Sequence, residues 1–223
     1  MTWTIERVEA SASVLHEREL STPTVRAVSL LRASSTALVL GSTQPMALID
    51  EASCRAFGIE VARRRSGGGA VLLEGDACAW IDVVIPRDDE LWLDDVGAAT
   101  YWLGDAWVRA LVRAGCDESQ VSVHRGRLQR HPWSDRVCFA GLGPGEITVS
   151  QRKLVGIAQR RTRVGARFQM ALLNRWEPEH LAPLFTAPGP TVSDLAPVAI
   201  GLTELGCDAN AVVDALLDEL RGL

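Results

Sequence analysis

The sequence predicts an α+β domain, a mainly antiparallel sheet with flanking helices, and three observations predict it. Short β-branched runs dominate the first 90 residues and again the stretch 121–173. Only two or three segments carry apolar residues at helical spacing. Strands and helices do not alternate regularly, which argues against a doubly wound parallel sheet. At 223 residues, 47% of them apolar, the chain can fill one core, and residues 1–223 are expected to form a single domain.

In chain order, residues 24–32 and 36–41 read as two strands joined by a short turn. Residues 45–58 read as a helix, with Pro45 in its first turn and Gly58 at its stop. Strand character resumes at 59–64 and continues at 70–73 and 77–85, the last mostly buried. A longer helix is expected within 94–114, where Val96, Leu103, Trp107, Ala110 and Leu111 lie at helical spacing. Asp94 or Asp95 can cap it and Gly115 can end it. Five short strands and turns follow, at 121–126, 136–141, 145–150, 154–160 and 166–173. Residues 207–222 read as an amphipathic helix, with Val212, Val213, Leu216, Leu217 and Leu220 on one face, Asp208 as cap and Gly222 as stop.

Composition narrows the function. No run approaches the 18 or more apolar residues of a membrane span, and the N-terminus lacks a basic-then-apolar leader. The five cysteines, at 54, 78, 116, 138 and 207, are odd in number and form no CxxC pair. That pattern argues against a disulfide framework and a metal centre, and fits a reducing cytoplasm. The four histidines are scattered, with no ligand or triad spacing. Net charge is −5, yet residues 125–175 carry ten Arg and Lys153 against only Asp135 and Glu146. A basic block inside an acidic chain points to a local anionic ligand or partner; neither general nucleic-acid binding nor a membrane is expected.

Two stretches carry candidate chemistry. In RRRSGGGAV (63–71), three glycines follow three arginines between strand-like runs. Such a loop lets backbone N–H groups approach an anion closely, and guanidinium groups suit phosphate or carboxylate. It is neither a P-loop nor a dinucleotide fingerprint, because no GK[ST] and no helix follow. In RKLVGIAQRR (152–161) stands Lys153, the only lysine beside 22 arginines.

Together these stretches resemble the lipoate–protein ligase A family, within the wider biotin/lipoate ligase and octanoyltransferase superfamily. Residues 29–45, 139–161 and 186–197 also resemble that family's opening strands, central hairpin and closing segment. The resemblance implies a class II synthetase/biotin-ligase-like fold. It implies ATP with Mg as cofactor, lipoate or octanoate as substrate, and a lipoyl carrier domain as partner. Arg64 falls on the phosphate-contacting arginine, and Gly67, Gly68, Gly69, Ala70, Val71 and Leu72 on the backbone lining nucleotide and acyl tail. Lys153 falls on the essential lysine that contacts the acyl carbonyl and the phosphate. A compact ammonium on a flexible stem suits such a tunnel where a planar guanidinium does not.

Some positions depart from the pattern. The aromatic, His and Asp that usually follow the glycine loop are here Leu72, Leu73 and Glu74. The usual Asn-Asp pair before the lysine hairpin falls near Gly145 and Glu146, and the family's His-Gly-Thr segment is replaced by residues 167–173. No C-terminal accessory domain is expected. Cys138 lies in a place similar to the nucleophile of one octanoyltransferase branch. The expectations are therefore an ATP-dependent ligase forming acyl-AMP, an octanoyltransferase using an acyl-carrier donor through Cys138, or a non-catalytic homologue; biotin is a further candidate acid.

Overall fold

A computed structural model describes residues 2–223. The elements run β1 (Thr4–Ala10), α1 (Ala12–Glu17), β2 (Ala27–Ala33), β3 (Ala37–Leu40), α2 (Glu51–Ala56), β4 (Glu60–Arg63), β5 (Val71–Leu73) and β6 (Cys78–Pro86). They continue α3 (Tyr101–Arg113), β7 (Val121–Val123), β8 (Ile147–Val149), β9 (Arg152–Arg161), β10 (Gly165–Leu173), α4 (Pro178–Leu181), α5 (Val192–Leu195) and α6 (Ala209–Arg221). Seven strands form one sheet in the order β1-β2-β6-β10-β9-β8-β7, and three form a second in the order β4-β3-β5. All neighbours in the large sheet are antiparallel except β1 with β2; in the small one β3 pairs parallel with β4.

The period of two along β6 divides the interior. Ile81, Val83 and Ile85 point to one face, where Trp107 of α3 and Leu216 and Leu220 of α6 complete the main core. Trp80 points to the opposite face, into a cluster with Leu15 of α1, Val39 of β3 and Leu73 of β5. The small sheet and α1 therefore cover the second face. β3 is buried on both sides, since Leu38 and Leu40 turn the other way, towards Ile49, Leu184 and Leu195.

Several elements differ from the sequence reading. Residues 24–32 and 36–41 hold strands, but β2 and β3 lie in different sheets; Leu31 and Ala37, either side of the turn, meet in the cluster between them. The helix expected at 45–58 is a single 3-10 turn at Met46–Leu48 and then α2. Ile49 between them is extended and bridges Phe185, and Asp50 starts α2 afresh by accepting from the Ser53 amide at 2.9 Å. α3 begins at Tyr101, because Asp95 accepts from Ala98 N and organises a 3-10 turn first. Residues 138–140 form a 3-10 turn where a strand was expected. β1, not foreseen, is an edge strand with mostly exposed side chains.

Candidate functional site

The site lies where the glycine loop faces the β8–β9 hairpin. Val149 pairs with Arg152, so Ser150 and Gln151 alone turn the chain, both at positive φ (48° and 67°). That is the backbone of a two-residue primed hairpin turn, which hands directly to Lys153. The lysine's own backbone is held on its other edge as well: Lys153 N donates to Val198 O at 3.0 Å, and Ile200 N donates to Lys153 O at 3.0 Å. A register shift between Ile147 and Thr148 lies opposite.

The Lys153 side chain is buried, 3% exposed, and its ammonium has three acceptors for three donors. These are Cys138 O at 3.0 Å, Gly141 O at 2.9 Å and Glu146 Oε2 at 2.7 Å. Glu146 is buried too, and the same oxygen accepts from Gly143 N while Oε1 accepts from Ile157 N. A buried charge this fully paired is positioned rather than free to wander. Sequence reasoning missed Glu146 as a site residue. The available signal was its place as one of two acids in the basic block.

The glycine loop is fastened from behind. Arg64 is buried and donates to the carbonyls of Gly67 (2.8 Å), Gly69 (2.7 Å) and Val39 (3.3 Å). Its guanidinium holds the loop. Arg63 grips Gly41 O and Gln44 O, and Arg65 pairs with Glu19. The three glycines are not equivalent. A Cβ on Gly69 would lie 2.5 Å from the Val137 backbone, whereas one on Gly67 would meet nothing within 4 Å. That closeness allows Ala70 N to donate to Arg136 O and Cys138 N to Ala70 O, tying loop to Cys138. Val71 and Leu72 lie on β5, with Val71 half-buried against the space between the sheets.

Two cavities meet at this point. A cleft of about 570 Å³ is lined by Gly67–Gly69, Cys138, Glu146 and Lys153. A narrow apolar pocket of about 50 Å³ runs between the sheets, with Val39, Val71, Leu73, Trp80 and Met170 among its walls. Arg64, Cys138, Ile157 and Ala158 line both. The arrangement suits an apolar chain whose reactive end lies against Cys138 and Lys153.

The basic block does not form one face. Arg125 pairs with Asp105, Arg130 with Asp135, Arg152 with Glu204, and Arg175 with Glu177. Among the described residues, one group offers metal-ligand geometry: Glu74, Glu177 and His180, outside the cleft. His180 Nδ1 lies 2.8 Å from Glu74, which raises its pKa, so that group is accounted for as an ion pair. No helix among the described residues is long and apolar enough to cross a membrane.

The large, mainly antiparallel sheet with flanking helices is the fold also found in lipoate and biotin protein ligases. The chain belongs to the lipoyl protein ligase A/B catalytic domain family, which it matches over residues 10–204. Octanoyltransferase LipM of Clostridioides difficile (strain 630) is 28% identical over 114 residues, 51% of this chain and 40% of that protein. The match thus spans less than half the length of that curated relative. The bipartite lipoate protein ligase of Thermoplasma acidophilum, studied with its E2 lipoyl domain, superposes with a TM-score of 0.73 at 16% identity, covering 99% of this chain and 82% of that one. A lipoate-protein ligase A bound with ATP gives 0.71 at 17% identity, covering 99% and 84%. At such identities the structural likeness establishes the fold.

Proposed function

We propose that this protein is a cysteine-dependent acyltransferase that moves a medium-chain acyl group, octanoyl or lipoyl, onto a lysine of a lipoyl carrier domain. The observation that carries it is the place of Cys138, at the junction of the apolar pocket and the cleft, with its own carbonyl on the Lys153 ammonium. The similarity to an octanoyltransferase supports the same reading, and a structural relative described together with its E2 lipoyl domain supports the acceptor.

The chemistry balances without a further reactant. The Cys138 sulfur attacks the carbonyl of an acyl thioester; the carrier thiol leaves with the proton that the cysteine loses. The Lys153 ammonium stays on Glu146 and exchanges one of its two carbonyl acceptors for the oxyanion of the tetrahedral intermediate, which it stabilises. The ε-amine of the carrier lysine then attacks the acyl-cysteine, an amide forms, and the proton returns to sulfur. Glu146 holds Lys153 in position through both steps.

A second reading, ATP-dependent activation of the free acid, draws on the volume of the cleft and on the ATP-bound relative. The charged groups fit a magnesium–nucleotide complex poorly. Arg130 pairs with Asp135, and Arg64 faces the loop's carbonyls. No carboxylate of the cleft is left uncommitted for magnesium. Arg64 and the loop 67–72 would be the phosphate and tail contacts under that reading.

One plate separates the two. With octanoyl carrier protein and no ATP, intact mass should show an acyl adduct that Cys138→Ser abolishes. Pyrophosphate release from ATP with lipoate or octanoate, unaffected by Cys138→Ser, would replace this reading with the ligase. Silence in both assays would leave neither standing.

A further inference from the structure

The mostly apolar pocket carries polar side chains in its wall, among them Arg64, Gln169 and His16. His16, on α1, lines it and is 6% exposed. Its ring stacks on Trp80 at 4.4 Å between centroids, tilted 29°. Its Nδ1 lies 3.3 Å from Gln169 Nε2, and its Nε2 has no partner at all. Buried polar atoms are nearly always paired, and an orphan donor carries the full desolvation cost of its group.

The tautomer can be worked out from the neighbours. Asp82 sits directly across the strands from Gln169. Its carboxylate, which accepts from Trp80 Nε1 at 2.9 Å, can only accept hydrogen bonds when ionised. The Gln169 amide therefore turns its NH₂ towards Asp82 and His16. His16 Nδ1 accepts from it, and the proton of the neutral ring resides on Nε2. Burial, followed by the Arg64 and Arg167 charges, pushes the imidazole down to about 4, so it stays neutral at physiological pH. The result is a fixed, unsatisfied N–H on a ring that lines the pocket, among walls that are mostly hydrocarbon.

We infer that His16 is a specificity residue that selects an acyl chain bearing a hydrogen-bond acceptor, an oxo or hydroxyl oxygen, towards the end that lies away from the cleft. A plain alkyl tail leaves the Nε2–H unmet; an oxygen there satisfies it. This inference rests on the acyl-site reading above, and it names a substrate class within it. Sites that hydrogen-bond a substrate group discriminate against the analogue lacking it more strongly than apolar pockets discriminate by size.

The test uses S-octanoyl- and S-7-oxooctanoyl-N-acetylcysteamine, titrated calorimetrically into the full chain carrying Cys138→Ser to prevent turnover. The oxo thioester should bind about tenfold more tightly, the size of one added hydrogen bond. His16→Leu in the same background should remove or reverse that preference. His16→Phe, which keeps a ring on Trp80, guards against a folding defect and should do the same. Equal binding of the two thioesters, or tighter binding of the octanoyl one, overturns the inference and leaves the acyl site standing. If neither thioester binds, the acyl-site reading falls and takes this inference with it.

Discussion

At Lys153, three acceptors at 2.7–3.0 Å enclose an ammonium that has three protons to give. The pocket fits a point charge with short reach. A guanidinium needs a plane, and here that plane runs into the Cys138–Gly141 turn. Lys153→Arg should therefore fold normally yet lose about a hundredfold or more in acyl transfer, the scale of one oxyanion donor. Circular dichroism and single-turnover rates check both halves; full activity would refute the role. Lys153→Ala is a different experiment, since it leaves Glu146 charged and unpaired inside the protein. That variant should also lose roughly 3 kcal/mol of stability. The lysine was legible because it is alone among arginines. Glu146 stood out only as one of two acids in the basic block; that it pairs with Lys153 is a product of the fold.

The glycine loop shows how far a motif can be read as an element. Three glycines in a row announce close approach, without saying what approaches what. The structure answers with backbone, not ligand, at Gly69, where Val137 passes too near for a side chain. Gly69→Ala should then displace Ala70 and Cys138 together, costing stability and activity. Gly67→Ala should be almost neutral in thermal melts and turnover alike. Equal effects from the two would contradict this division of labour. The same dependence on contacts far along the chain explains the misread segments. Residues 136–141 look like a strand by composition, but Val137 bridges Ala70 and the next residues must turn to bring Cys138 O and Gly141 O onto the lysine. Ile49 likewise breaks a helix-like run because Phe185, over 130 positions later, takes its backbone.

Over the whole molecule, the α+β class was visible in the rhythm of β-branched runs, because alternation is a local property. The division into two sheets was not, because the choice between pairing β3 with β2 or with β4 and β5 depends on α1 filling the space between. That space holds two opposed titrations. Burial and nearby arginines lower His16 from 6.5 to about 4, so its contribution is intact above 6.5 and is lost as pH falls towards 4. Burial raises Asp82 from 3.8 to about 6, so its contribution is greatest below 3.8 and is lost as pH rises through 6. Each amounts to about 3 kcal/mol in the limit, with opposite sign across pH 4–6. Asp82→Asn removes one side of the balance. Relative to the unmodified protein it should lose stability at about 1 kcal/mol per unit as pH falls from 6 to 4. Urea unfolding at several pH values reads the slope, and parallel profiles would count against the assignment.

The short parallel bridge between Lys153 and Ala199 has a consequence in time. The amides of Lys153 and Ile200 each close one of the bridge's two hydrogen bonds, so opening the bridge frees both. Their deuterium uptake should proceed at a common rate, and an acyl donor that steadies the lysine should slow exchange at residue 200. A clock for the reactive centre would then tick in the C-terminal part of the chain, at an amide that never touches the substrate.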